Sequence, residues 1–131
     1  MKQAIKAQAA AGMIPDGAVL MIGGFMGVGS PHRLIEALVE AGRKNLTVIG
    51  NDTGKQNYGI GRLVSAGAVA KVITSHIGLN PDTQKAMIAG EIEVELVPQG
   101  TLAERIRAGG YGLGGVLTKT GLGTPAAEGQ K

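Results

Sequence analysis

The sequence has 131 residues, which suits one compact domain, and 44% of them are apolar, which excludes a disordered chain. Aromatic residues make up 2%, which disfavours a surface for stacking bases or sugars. The net charge is +3, and the basic residues are scattered, so they form no stripe for nucleic acid. The absence of cysteine excludes disulfides and thiolate chemistry and favours a cytoplasmic protein. No secretory signal or membrane span is expected, because the longest apolar run, 18–22, is too short.

Helical and strand patterns alternate along the chain. Helical segments repeat apolar residues every three or four positions, whereas strand segments are short apolar runs or alternate with a period of two. In chain order the sequence predicts a helix over 3–13, a strand over 18–22, a helix over 31–41, a strand over 46–49, a short helix over 61–66, a strand over 69–74, a helix over 81–89, a strand over 91–97 and a helix over 101–108. We therefore predict an α/β fold, doubly wound, with a mostly parallel sheet flanked by helices.

Local signals indicate where two of these helices begin and end. Pro31 suits a first helical turn, Ser30 is the expected N-cap before it, and Gly42 is the expected stop. Asn80 is the expected cap of the helix that begins at Pro81.

Two predicted strands differ in the exposure that their patterns indicate. The first, 18–22, is continuously apolar, which is typical of a strand buried on both faces. In the last, Glu91, Glu93 and Glu95 alternate with apolar residues, so three carboxylates share one face. That face does not suit a central strand, so we expect an edge position or an exposed first half. A catalytic carboxylate among the three is the less favoured interpretation.

The segment 109–131 is rich in glycine and threonine and has little apolar periodicity. A compact domain rarely ends in more than twenty residues of loop. We therefore expect a single domain over 1–131 that is a fragment of a longer protein, or a tail that a partner orders. The spacing G-x-G-x-x-G occurs at 110–115, but it follows a predicted helix and not a strand, which argues against a dinucleotide site.

Ligand sites of parallel sheets lie beyond the carboxyl ends of the strands, and the loops that leave those ends are 23–30, 50–59 and 98–100. The first contains Gly23 and Gly24, which allow a ligand to approach the backbone, and it leads into a helix N-terminus, which favours an anion or a polarised carbonyl. A tight turn without a ligand explains the glycines equally well. A Walker A loop is excluded because Gly-Lys-Ser/Thr is absent.

Several long motifs are together similar to one enzyme family. They are the run from Asp16-Gly17 through Gly23-Gly24-Phe25 to Gly29-Ser30-Pro31, then Asn51-Asp52-Thr53, Ser75-His76-Ile77-Gly78-Leu79-Asn80-Pro81, the segment 98–110 that begins Pro-Gln-Gly-Thr, and the Gly/Thr-rich segment 112–124. With them the chain resembles the α subunits of family I coenzyme A transferases, of the acetate/acetoacetate or 3-oxoacid type. The resemblance covers nearly the whole chain, implies a CoA-transferase or ribose-phosphate-isomerase-like fold, and suggests truncation, because such subunits are usually longer.

The resemblance implies a transferase subunit that needs a β subunit. Family members move coenzyme A from an acyl-CoA to a short-chain carboxylic or 3-oxo acid by a ping-pong mechanism, through a glutamyl-CoA thioester on the β subunit. It further implies an α2β2 or similar hetero-oligomer, no metal, and no cofactor besides the coenzyme A thioester that is the substrate. No segment resembles the nucleophile region, so no glutamate of this chain is assigned that role.

The matched motifs also imply site residues. Gln99 corresponds to a glutamine whose carboxamide points into the active site and holds an oxyanion; the pattern alone favours a cap on the helix near Gly100 instead. The substrate-binding candidates at the strand ends are Gly23, Gly24, Phe25, Gly27 and Asn51. His76 is expected to be a hydrogen-bonded structural residue more than a pocket residue, and His32 to be exposed and inert.

A second hypothesis of a different class stays open. In it the chain is a non-catalytic α/β binding module for an anionic metabolite, because one fold serves many functions. Neither hypothesis includes a nucleic-acid or membrane partner.

Overall fold

The structure, a computed structural model, describes residues 3–129. Within them helices and strands alternate as predicted. They are α1 (Ala7–Gly12), β1 (Val19–Met21), α2 (His32–Glu40), β2 (Leu46–Asp52), α3 (Gly61–Ser65), β3 (Val69–His76), α4 (Pro81–Ile88), β4 (Glu93–Leu96), α5 (Gln99–Gly110) and a 3-10 turn (Pro125–Ala127). The α/β fold predicted from the sequence is confirmed.

The strands form one parallel sheet in the order β1-β2-β3-β4. The register places Leu20, Val48, Val72 and Val94 side by side across it. Because neighbours in register point to the same face, these residues define the core face, where Val48 and Val72 are each 1% exposed. The first four helices all contribute side chains to this core.

The helix α5 lies on the opposite face of the sheet. Glu95 pairs in register with Ile73, one position away from the core pair, so its side chain points away from the core. The Arg105 guanidinium of α5 donates a hydrogen bond to Glu95 at 2.9 Å, and α5 buries Leu102 and Ala108 apart from the main core. Helices therefore flank both faces, as the doubly wound prediction required.

The strand β1 is more exposed than predicted. Val19 and Met21 are 65% and 57% exposed, while Leu20 and the following Ile22 contact the core. The prediction of a strand buried on both faces is wrong, because β1 is an edge strand of the described sheet and α5 contacts the opposite end. The edge position predicted for the glutamate-rich strand is confirmed, since β4 forms the other edge.

Helix ends confirm two predicted signals and contradict a third. The Asn80 side chain accepts hydrogen bonds from two backbone N–H groups in the first turn of α4. Gly42 follows α2 and has a φ of 65°, in the left-handed region. Ser30, the predicted cap of α2, makes no capping bond, and the N-cap position is occupied by Pro31. The Ser30 hydroxyl donates instead to the Gly23 carbonyl at 3.1 Å, so it closes the glycine loop.

Several predicted boundaries also move. β2 runs on to Asp52, three residues into the predicted loop 50–59, because β3 pairs with it up to His76. The helix α1 begins at Ala7, four residues later than predicted. α5 runs from Gln99 to Gly110, so the predicted loop at 98–100 and the predicted start of the tail at Gly109 are both wrong.

The described rest of the tail, 111–129, is irregular apart from the 3-10 turn, and most of its residues are exposed. Residues 130 and 131 of the predicted tail, and residues 1 and 2, lie outside the described residues. Among the described helices, none has the length and apolar character that crossing a bilayer requires.

Candidate active site

A cavity of about 450 Å³ opens where β2 and β3 end and α5 begins. It is lined by Phe25, Asn51, Asp52, Ser75, His76, Leu79 and Gln99. Larger cavities of about 610 and 920 Å³ lie under the tail and between α1 and α2, but they contain none of the predicted site residues. The smaller cavity lies beyond the carboxyl ends of parallel strands, where ligand sites of this fold class are found.

The side chains of Asn51 and Gln99 meet in this cavity. The Gln99 amide Nε2 donates to Asn51 Oδ1 at 2.7 Å, and Asn51 Nδ2 donates to the Gly24 carbonyl at 2.8 Å. Because a carbonyl can only accept, Asn51 must turn its nitrogen toward Gly24 and its oxygen toward Gln99. The alternative in which Gln99 caps α5 is wrong, since the helix has no side-chain cap and the Gln99 amide bonds elsewhere.

Hydrogen-bond donors remain available at this point. The Gln99 amide nitrogen carries two hydrogens, and the contact with Asn51 engages one of them. The first backbone N–H groups of α5 point toward the same end, where the helix dipole is positive. Neutral donors of this kind suit negative charge that develops on an oxygen during a reaction.

The carboxylate of Asp52 lies under the glycine loop and is 5% exposed. Its Oδ2 accepts from the Met26 backbone N–H at 2.9 Å and its Oδ1 from the Gly54 N–H at 2.6 Å. Met26 has a φ of 50°, in the left-handed region that residues other than glycine rarely adopt. Asp52 therefore holds the loop in its conformation and so positions Phe25 at the cavity, which favours a structural role for this carboxylate over a nucleophilic one.

The glycine-loop candidates occupy different positions relative to the cavity. Phe25 lines the cavity. Gly24 has a φ of 127°, and its carbonyl accepts a hydrogen bond from Asn51 Nδ2. Gly23 and Gly27 are not among the lining residues: Gly23 accepts the Ser30 hydroxyl, and Gly27 packs under the Tyr58 ring, which any side chain there would overlap. Substrate contact remains a prediction for all of these candidates.

The structure adds Ser75, His76 and Leu79 to the lining, which sequence reasoning did not select. The available signal was the matched motif 75–81, but a motif does not tell which side chains face a cavity. The predicted hydrogen-bonded role of His76 is wrong, because no hydrogen bond or ion pair joins its ring to another residue within 3–129. The reason is that β3 is two residues longer than predicted, which places His76 at the rim of the sheet.

The other histidine, His32, is exposed as expected but is not without contacts. Its Nε2 lies 2.8 Å from the Gly27 carbonyl, and its ring centroid lies 4.8 Å from that of Tyr58. His32 thus stabilises the turn of the glycine loop and lies outside the cavity.

Charged groups elsewhere do not form a second site. Within residues 3–129 no group of three or more histidines and carboxylates could hold a metal. The hydrogen bond from Arg107 lowers the pKa of Glu104, and the hydrogen bond to Glu93 raises the pKa of Lys71. Both pairs are exposed and remote from the cavity. The glutamates of β4 are likewise paired with cations, Glu93 with Lys71 and Glu95 with Arg105, and neither lines the cavity.

Comparisons with known proteins point the same way as the geometry. A family model described as coenzyme A transferase matches residues 4–131. The chain is 57% identical to the acetate CoA-transferase subunit alpha of Escherichia coli K12, covering 95% of this chain and 56% of that one. It is 60% identical to the acetoacetyl-CoA:acetate/butyrate CoA transferase alpha subunit of Clostridium acetobutylicum, covering 88% and 53%. The chain therefore spans about half the length of these relatives.

Solved structures are similar as well. An acyl-CoA transferase of Escherichia coli O157:H7, in a thioester complex with CoA, superimposes with a TM-score of 0.80 at 28% identity, covering 91% of this chain and 25% of that one. The decarboxylase AibA/AibB gives a TM-score of 0.70 at 26% identity, covering 83% and 44%. Since one of these is named a decarboxylase, the fold alone does not identify a reaction.

Proposed function

The chain belongs to the coenzyme A transferase family, and we propose on that basis that it acts as the α subunit of a transferase that moves coenzyme A between an acyl-CoA and a short-chain carboxylic or 3-oxo acid. The observation that carries the proposal is the Gln99 carboxamide, which lines the cavity with one N–H held by Asn51 and the other available. One relative is named for acetate and the other for acetoacetyl-CoA with acetate or butyrate, so an acid of this size is the proposed acceptor.

In the proposed mechanism the nucleophile is a glutamate of a β subunit. Its carboxylate oxygen attacks the thioester carbonyl, the C=O electron pair moves onto oxygen, and collapse of the tetrahedral intermediate expels the CoA thiolate and leaves an acyl-glutamyl anhydride. The thiolate then attacks the glutamyl carbonyl, releases the first acid and leaves a glutamyl-CoA thioester. The acceptor acid reverses these steps. Among the described residues that line the cavity, none is a glutamate, and Asp52 is engaged by backbone N–H groups.

The proposed role of Gln99 is to hold the oxyanion of each tetrahedral intermediate. A carboxamide donates a hydrogen bond without carrying charge, so it stabilises an oxygen that gains negative charge more than it stabilises the neutral thioester. Asn51 is then a positioning residue, because it fixes the orientation of the Gln99 amide through its own bond to Gly24. The N-terminus of α5 adds favourable potential at the same place.

The test is a coenzyme A exchange assay with this chain, a β subunit, acetyl-CoA and butyrate. Removing one oxyanion donor costs about 10²–10³ in kcat, so Gln99→Ala should lose activity by that factor while the KM for acetyl-CoA changes little. Gln8→Ala, which truncates an exposed glutamine on α1, is the matched control and should keep full activity. Full activity of Gln99→Ala, or exchange by this chain without a β subunit, would contradict the proposal.

The alternative of a non-catalytic binding module predicts a different result in the same mixture. Such a module would bind the acyl-CoA or the acid but would give no exchange with any β subunit. The identity to named transferase subunits favours the enzyme. The proposal further comprises a hetero-oligomer of α2β2 or similar type, no cofactor besides the coenzyme A thioester substrate, and a cytoplasmic location.

A further inference from the structure

His76 is the one basic side chain among the described residues that line the cavity. It ends β3, pairs in register with Asp52 of β2, and is exposed. Its ring has no hydrogen-bond or ion-pair partner within residues 3–129. An imidazole left without a partner at the rim of a polar cavity is available to a ligand.

The other polar groups of the cavity are largely engaged. The Ser75 hydroxyl donates to the Asn51 carbonyl at 2.7 Å, and Asn51 uses both ends of its amide. The oxygens of Asp52 accept backbone N–H groups. For an incoming anion this leaves the second N–H of Gln99 and the ring of His76 as side-chain donors.

Two apolar side chains also line the cavity. Phe25 comes from the loop after β1 and Leu79 from the loop after β3, and both are exposed. A short acid needs apolar contact for its alkyl chain and donors for its carboxylate, and the cavity offers both kinds of surface.

We propose that His76 binds the carboxylate of the acceptor acid, with the alkyl chain against Phe25 and Leu79. This inference rests on the proposed function and names one contact that it requires. The acid arrives as an anion, and a protonated imidazole makes a charge-assisted hydrogen bond to a carboxylate that a neutral donor cannot match. Gln99 then binds the oxygen of the carbonyl that reacts, and His76 binds the carboxylate of the incoming acid.

One charged side chain of the cavity lies next to His76. It is Asp52, which pairs in register with His76 from the adjacent strand, and no other residue lining the cavity carries a carboxylate. Because Asp52 bonds to backbone N–H groups, it does not replace the incoming carboxylate as a partner of the ring.

The chain contains two histidines, which makes the inference testable by nuclear magnetic resonance. Butyrate is titrated into the chain near neutral pH, first alone and then with a β subunit, while the ring signals of both histidines and the backbone signal of Gln99 are followed. The ring signals of His76 should shift as butyrate binds, whereas those of His32, which lies outside the cavity, should not. Butyramide, which has the same shape and no charge, should leave His76 unchanged.

The kinetic arm uses His76→Gln in the complete transferase. The KM for butyrate should rise about tenfold, because a charge-assisted hydrogen bond is replaced by a neutral one, while the KM for acetyl-CoA stays the same. If butyrate moves the Gln99 signal but not His76, or if His76→Gln leaves the KM for butyrate unchanged, the inference is wrong and the proposed function stands. If neither residue responds and the wild-type mixture shows no exchange, both are wrong.

Discussion

The carboxylate of Asp52 offers the sharpest test of how the site is built, because it acts through two hydrogen bonds that one substitution removes. Asp52→Ala leaves the backbone N–H groups of Met26 and Gly54 without their acceptor in a nearly buried position. A hydrogen bond to a charged group contributes about 1.5–3 kcal/mol, so the two together contribute about 3–6 kcal/mol. Burying the carboxylate is itself costly, and its removal offsets part of this.

We therefore expect Asp52→Ala to lower the free energy of unfolding by about 2–4 kcal/mol, a large share of the stability of an ordinary domain. The measurement is urea unfolding of this chain, followed by circular dichroism and fitted for the midpoint and slope. The backbone signals of Met26 and its neighbours in the glycine loop should also change in the folded variant, because Met26 loses the contact that holds its φ of 50°.

Asp16→Ala is the matched control for this substitution. Asp16 also accepts one backbone N–H, that of Lys44 at 2.9 Å, but it is exposed, so water replaces the lost acceptor. Its expected cost is below about 1 kcal/mol. Equal effects of the two substitutions, or a loss of less than about 0.5 kcal/mol for Asp52→Ala, would refute the argument that burial makes this carboxylate important.

Two further predictions concern the packing that supports the site. Asn80→Ala removes the cap of α4 and the Nδ2 bond to the Thr53 carbonyl, so the free energy of unfolding should fall by about 2–4 kcal/mol. Asn80→Ser, whose hydroxyl can keep the cap, should lose less, and an equal loss in urea unfolding would assign the whole effect to the Thr53 bond. Gly61→Ala directs a methyl group into the Lys55 carbonyl and should lower the free energy of unfolding by about 1–3 kcal/mol. Gly12→Ala, where the methyl group meets open space, should be neutral or slightly stabilising in the same assay. Similar urea midpoints for the two variants would contradict the packing argument.

Much of the fold was predictable because its signals are local. The alternation of apolar periods identified the helices and strands, and Asn80 before Pro81 identified a helix start that the structure confirms. Ser30 carried the same kind of signal and the prediction was wrong, because its hydroxyl bonds across the glycine loop to Gly23. A residue type that often caps helices does not by itself show which nearby backbone group its side chain will bond.

The candidate site was predictable only in part. Sequence motifs placed Phe25, Asn51 and Gln99 at strand ends, and the structure brings all three into one cavity. The same reasoning misjudged His76, whose pattern did not reveal that β3 continues to the rim of the sheet. Gly27, which the motif also selected, makes room for the Tyr58 ring and is not among the lining residues, and its contact with substrate stays a prediction.

The sequence by itself determined the succession of elements, the parallel α/β class and the motifs of the family, because these depend on residues a few positions apart. Only the tertiary structure decided which polar side chains are engaged and which are available. Gln99 meets Asn51 across 48 positions of the chain, and His76 stands beside Asp52 because of the register between β2 and β3. Such pairings follow from how strands align and helices pack, since the distance between two side chains in space is set by the whole fold and not by their neighbours in sequence.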